Sequence, residues 1–422
     1  MRVVLDFFII AVYFFSSFIT FASGIEDSDP FSQKKFVPAI SFIMDFSYLN
    51  GSISGTDREI FHIPGFTHSD HSHGHSHSIG GDGFSLNYAE LGIFATVDPY
   101  FDLFTVFHIA EGHFGIEEVY VTTRNLPHGL GLKVGKFLSS FGRINSQHAH
   151  VWNFREIPLV YHVFFGEEGL NEKGIQINWV VPTDFYLSFG CEILQGENNV
   201  SFGIQEEHHH NGTNSGEESV GSTKVPGLFT VFGKTSTDIG ELVILGGISY
   251  AEGETRLNHK SKDSDHTLSG KSKIFGVDIT LKYLLDSYKY ISLQTEFMNR
   301  KFNGLIHHEN MEKYNNHDHP FSKSQSGFYS EFVYRFARFW RTALRFDMLS
   351  KNCVFSAGKD LRFPEDMKRY SFMIDYSPTE FSRIRLQYNY NKYLYSKNNL
   401  KNFGELNLQL NIAIGAHGAH QF

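Results

Sequence analysis

Apolar and polar residues alternate along much of this chain. In "IFGVDITLKY", Phe275, Val277, Ile279, Leu281 and Tyr283 share one parity, and Gly276, Asp278, Thr280 and Lys282 the other. "FYSEFVYRF" sets Phe328, Phe332, Tyr334 and Phe336 against Tyr329, Glu331 and Arg335. "WRTALRFDM" sets Trp340, Leu344, Phe346 and Met348 against Arg341, Arg345 and Asp347, and "RIRLQYNY" and "GIQINWVV" follow suit. Period two predicts strands with one apolar face. A soluble sandwich would alternate as well. Here, however, the polar face carries Asp, Glu, Lys and Arg in one segment after another, as the wet interior of a membrane barrel requires.

The links support the same architecture. Short ones read Asp98-Pro99-Tyr100, Pro182-Thr183-Asp184, Ala337-Arg338-Phe339 and Ser377-Pro378-Thr379. Long polar ones cover 50–83, 138–173, 195–226, 252–271, 302–326 and 349–368. Short periplasmic turns and long extracellular loops are the habit of outer-membrane barrels. Counting from a first strand near Ile40–Tyr48 gives about 16 antiparallel strands, within a range of about 14–18. In the last segment Leu406, Leu408, Leu410, Ile412 and Ile414 oppose Glu405, Asn407, Gln409 and Asn411, and Phe422 keeps the apolar parity. A terminal Phe on an amphipathic strand resembles the assembly signal of bacterial outer-membrane proteins. The resemblance implies outer-membrane lipid and the barrel assembly machinery as partners.

The N-terminus sets the compartment. After Arg2 comes an apolar run, Phe7–Ile19, then Thr20-Phe21-Ala22-Ser23-Gly24. This reads as a secretory signal peptide, too short for the roughly 20 residues of a membrane helix. The expected division is a signal over 1–22, a short periplasmic segment over 23–36 and the barrel over 37–422. Phe (43) and Tyr (20) are abundant although mean hydropathy is slightly negative, which fits a chain whose apolar residues fill alternate positions. Cys191 falls in a strand pattern and Cys353 in an expected loop, so the two are read as unpaired. A net charge of -9 argues against nucleic acid as a partner.

Residues 117–182 have the strongest individual character. Gly135-Lys136-Phe137, the Phe141-Gly142 turn, Asn145, His148 and His150, then Gly166-Glu167 and Gly169, resemble porin-like outer-membrane proteins, broadly the phosphate-selective type and its relatives. The resemblance implies a pore-type barrel without fixing its solute. The acidic balance departs from the lysine- and arginine-rich lumens of anion-selective members. Link 138–173 is the candidate constriction, and Lys136, Arg143, Arg155, Glu156, Glu167 and Glu168 could line a pore by mixed charge. The alternative is that its Gly, Phe and Trp152 simply pack it against the wall.

Histidines are concentrated in the links. "THSDHSHGHSHSIGGDG" carries His68, His71, His73, His75 and His77, and "EEHHHNG" carries His208, His209 and His210. Links 252–271 and 302–326 add His259 and His266, then His307, His308, His317 and His319. With His62, His113, His148, His150 and His162, all but His108, His128, His417 and His420 fall on the long-link side. Imidazoles among Asp70, Asp82, Glu206, Glu207 and Glu309 suit a labile site for Zn²⁺ first, or Cu²⁺ or Ni²⁺. A solvated low-complexity loop that binds metal incidentally, or a pH-sensing loop, would look the same. No Ser/His/Asp spacing points to catalysis, so no enzyme is expected. The expected function is passive passage of small solutes or ions with metal capture outside, and homo-oligomerisation stays open. The alternative is a non-conducting barrel that displays metal-binding or adhesive loops.

Overall fold

The computed structural model describes residues 38–53, 82–198, 200–207, 225–259, 266–308, 318–356, 359–362, 366–395 and 399–415. The strands are β1 (Ala39–Gly51), β2 (Gly83–Thr96), β3 (Phe101–Ala110), β4 (His113–Thr123), β5 (Leu130–Leu138), β6 (Asn171–Val180), β7 (Tyr186–Leu194), β8 (Gly203–Glu207), β9 (Leu228–Ile239) and β10 (Leu242–His259). They continue with β11 (His266–Leu284), β12 (Tyr290–His308), β13 (His319–Arg335), β14 (Trp340–Leu349), β15 (Cys353–Ser356), β16 (Lys359–Arg362), β17 (Met367–Thr379), β18 (Ser382–Tyr395) and β19 (Asn399–Gly415). Sixteen of them form a closed antiparallel wall. The ring closes where β1 meets β19, Ser41 opposite Gly415 and Gly51 opposite Glu405. Closure leaves no unpaired strand edge in the bilayer, where unpaired backbone polar groups are costly.

The wall is inside-out relative to a soluble protein. On β19, Ile414 is 65% exposed and Asn407 is 1% exposed. The alternation read from sequence thus places apolar side chains toward lipid and polar ones toward the lumen. This is the architecture of bacterial outer-membrane barrels, and the outer membrane is where the chain resides.

Two expected loops are largely strand. The polar, Gly-bearing stretches 252–271 and 302–326 read as loops in the sequence. Instead β10 and β11 stay paired up to His259 opposite His266, and β12 and β13 up to Ile306 opposite His319. Beyond the bilayer both faces meet water, so the apolar alternation is lost while cross-strand hydrogen bonding continues. In link 195–226, β8 runs parallel to the end of β10. In link 349–368, β15 and β16 form a small hairpin against β13, so Cys353 lies in a strand and not a loop. Phe422, the signal region and segment 23–36 lie outside the described residues.

Between β5 and β6 the chain turns into the barrel. Residues 139–170 include a 3-10 turn (Ala149–Val151) and a short helix, α1 (Leu159–Phe165). Six of the seven α1 side chains are buried. With Phe137, Phe141, Ile144, Met298 and Tyr329 they form an apolar core inside the lumen. Gly327 on β13 makes room for Val160, since a Cβ there would sit 2.8 Å from its Cγ2. Asp347 accepts the N–H of Leu159 at 2.9 Å, placing a carboxylate at the start of α1.

Candidate lumenal site

The inward loop is tied to the wall on several sides. Glu296 of β12 accepts the backbone N–H groups of Arg143 (2.8 Å) and Ile144 (3.1 Å) and the hydroxyls of Tyr161 (2.7 Å) and Tyr329. Gly142 donates to Ser249 Oγ of β10 at 2.9 Å, and Ser140 N–H to Glu192 of β7 at 2.8 Å. On the opposite side, Arg383 and Arg385 of β18 donate to the carbonyls of His150 (2.8 Å) and Trp152 (2.9 Å). Gln387 and Asn389 donate to Glu156 at 2.6 and 3.1 Å. Burial opposes ionisation of Glu156, but Arg369, Arg155 and Arg345 with the Gln387 hydrogen bond outweigh it and hold its pKa at about 2. Gly142 has φ 64°, and a Cβ there would collide with the Tyr161 hydroxyl.

A cavity of about 420 Å³ remains between this loop and the wall. Lys136, Arg155, Glu156, Glu167 and Glu168, five of the residues singled out in the sequence, line it together. Arg143, the sixth, is turned away toward Asp278 and Glu296; burial lowers its pKa while those carboxylates oppose the shift. The lining holds six carboxylates (Asp45, Glu117, Glu156, Glu167, Glu168, Glu405) against Lys136, Arg155 and Arg369, with His108, His113, His148 and His162 among them. His162 is held at about 4, first by burial and then by repulsion from Arg369.

His148, His150 and His162 therefore do not face the exterior as their place in a long link suggested. The link folds inward and carries them with it. His148 precedes the 3-10 turn and His150 lies within it, their rings stacked with centroids 5.8 Å apart. Nε2 of His148 lies 2.8 Å from Glu118 Oε2, and its Nδ1 lies 3.2 Å from Glu117 and 3.8 Å from Glu90. Nδ1 of His150 is 3.2 Å from the same Glu90 oxygen. Two adjacent residues, Glu117 and Glu118, reach the lumen because β4 bulges here: Val106 pairs with Glu118 and Phe107 with Ile116, leaving Glu117 over. Sequence reasoning missed these glutamates. The signal was the break in alternation at "GIEEVYV".

Of the histidines proposed as metal ligands, His68, His71, His73, His75, His77, His208, His209, His210 and His317 lie outside the described residues. His307 and His308 end β12 and His319 begins β13, so hairpin pairing brings them to one end of the wall. His307 Nδ1 is 2.7 Å from Asp318 and its Nε2 is 3.0 Å from Ser269 Oγ. Among the described residues, the three metal-capable side chains drawn together are Glu90, Glu117 and His148.

No known family profile matches the chain. An uncharacterized protein of Aquifex aeolicus (strain VF5) is 44% identical over 401 residues, spanning 94% of this chain and 83% of that one. Among solved structures, outer-membrane expressed OmpT of Vibrio cholerae aligns over 93% of this chain and 100% of its own, with TM-score 0.50 and 11% identity. The outer membrane channel DcaP of Acinetobacter baumannii aligns over 91% and 99%, with TM-score 0.46 and 11% identity. The OmpT likeness is one of fold. With its closed sixteen-strand wall and inward loop, the chain is an outer-membrane β-barrel that belongs to the family of the Aquifex aeolicus protein.

Proposed function

We propose that this barrel is a passive channel for small polar solutes that favours cations, with the inward 139–170 loop as its constriction. The observation that carries this reading is the loop itself. Anchored by charged and hydrogen-bonded wall residues, it leaves a cavity whose lining carboxylates outnumber its fixed positive groups. An acidic constriction attracts cations and repels anions. On this reading anions, phosphate among them, are disfavoured. Planar-bilayer recording of refolded protein in a KCl gradient tests both parts. Discrete conductance steps with a cation-directed reversal potential are expected. Well-folded protein that gives no steps at any voltage or salt would overturn the channel and favour a display barrel.

The outer histidines keep their proposed role as a labile site for Zn²⁺, Cu²⁺ or Ni²⁺. Its support is compositional, together with the gathering of His307, His308 and His319 at one hairpin end. Replacing His71, His73, His75 and His77 with Ser should remove the largest share of low-affinity zinc binding in calorimetry.

A further inference from the structure

Inside the lumen, the surroundings of His148 present a chemical problem. A neutral imidazole has one N–H donor and one lone-pair acceptor. Here both ring nitrogens face carboxylate oxygens, Glu118 on one side, Glu117 and Glu90 on the other. With Nε2–H donating to Glu118 at 2.8 Å, the Nδ1 lone pair points at two further carboxylates, an arrangement that needs positive charge between them. A proton on Nδ1 could serve one of these contacts. His150 adds another nitrogen, whose Nδ1 approaches the same Glu90 oxygen at 3.2 Å.

We propose that Glu90, Glu117, His148 and His150 form a binding site for one divalent transition-metal ion within the lumen. The spacing supports it. Ligand atoms about 2.0–2.2 Å from a tetrahedral ion lie roughly 3.3–3.6 Å from one another. The contacts here are 3.2, 3.2 and 3.8 Å; Glu90, Glu117 and His148 are already drawn together, and His150, in contact with Glu90, is the group that must move to complete the set. Glu118 supplies the outer carboxylate that fixes a ligating histidine's tautomer and orientation. Two imidazoles with two carboxylates select Zn²⁺ or Co²⁺ over Mg²⁺ and Ca²⁺, which take all-oxygen shells. Access exists, because His148 and Glu117 line the cavity. The ion would bridge the loop, through His148 and His150, to β2 and β4. The site depends neither on the outer histidines nor on whether the pore conducts.

The test uses the full-length refolded barrel with His71, His73, His75 and His77 replaced by Ser, titrated with Co²⁺ by calorimetry and visible absorption. In that background, His148→Gln should lose one equivalent of Co²⁺ and the intense absorption of a tetrahedral site. Glu117→Gln should lose the same equivalent. Glu118→Gln should keep it with roughly 10–100-fold weaker affinity. Unchanged stoichiometry and spectrum in His148→Gln overturns the proposal. Should a variant fail the heat-modifiability test for a folded barrel, crystals of the unsubstituted protein soaked in Co²⁺ decide. An anomalous peak beside His148 Nδ1 supports the site, and an empty position sinks it.

Discussion

Tyr161 of α1 donates a 2.7 Å hydrogen bond to Glu296 of β12, a residue whose carboxylate also holds the backbone of Arg143 and Ile144. One buried carboxylate thus fastens two separate parts of the loop. Hydrogen bonds to charged groups contribute about 1.5–3 kcal/mol each, and donors left buried without a partner cost a similar amount. Glu296→Ala should therefore release Gly142–Ile144 and the start of α1. Single-channel conductance is expected to rise and become noisy, with the barrel still heat-modifiable on gels. Conductance identical to wild type would show that this carboxylate does not hold the constriction.

The pH response of the loop should depend on His162. A released loop protonates this ring near the reference value of about 6.5, whereas the seated ring, buried and facing Arg369, waits until about 4. Below 6.5 the released state therefore binds a proton that the seated state does not, and seating weakens down to about 4, then levels off. Hydrogen exchange at Leu159–Phe165, corrected for intrinsic rates, should show protection falling across that window in wild type. His162→Gln should lack that decline. His148 is common to both proteins, so its own titration cancels in the comparison.

Glu156 titrates in the other direction. Its pKa of about 2 lies below the ordinary glutamate value, so the stabilisation it gives the seated loop is full above about 4.5 and is lost only toward pH 2. Glu156→Gln should weaken seating at neutral pH, with the difference from wild type vanishing in strong acid. The same exchange measurement reads it, and a difference as large at pH 2 as at neutral pH would contradict the assignment.

Charge on the cavity wall should set selectivity. Glu167→Gln with Glu168→Gln removes two of six carboxylates and should move the reversal potential toward neutrality, while Lys136→Glu should move it further toward cations. Shifts of the opposite sign would place the conducting path elsewhere.

The two cysteines report the orientation of the barrel. Cys353 is exposed on β15, beyond the outer end of β14. Cys191 shares the parity of Phe189 and Ile193, whose side chains face lipid. A membrane-impermeant maleimide on intact cells should label Cys353 and spare Cys191. Labelling that requires permeabilised cells would be falsified threading, with the long links inside.

The wall was legible because a bilayer enforces period two on every strand it touches; Phe275–Tyr283 could be assigned to a face by counting. Legibility ended where that solvent ended. Outside the membrane, Thr267–Lys271 pairs as strand with no apolar face to mark it. The inward loop was recognisable as link 138–173, and five of the charged residues singled out with it share a cavity. The His148 cluster was not, because it joins the turn of the loop to β2 and to a bulge in β4, and no periodicity relates residues 90, 118 and 148.

The rim of the barrel has unequal heights. β3 and β4, ten and eleven residues long, meet over Glu111 and Gly112, whereas β12 has 19 residues. At about 3.3 Å per residue and a tilt near 40°, β3 climbs roughly 25 Å and β12 roughly 48 Å. The first length only matches the roughly 25 Å apolar band of such barrels; the second exceeds the roughly 40–45 Å that includes the headgroups. If the barrel conducts as proposed, solutes arriving from the low side pass the lipid headgroups before reaching His113 and His108 on the cavity wall. The composition of the surrounding membrane, and the cations its headgroups attract, therefore become part of the entrance.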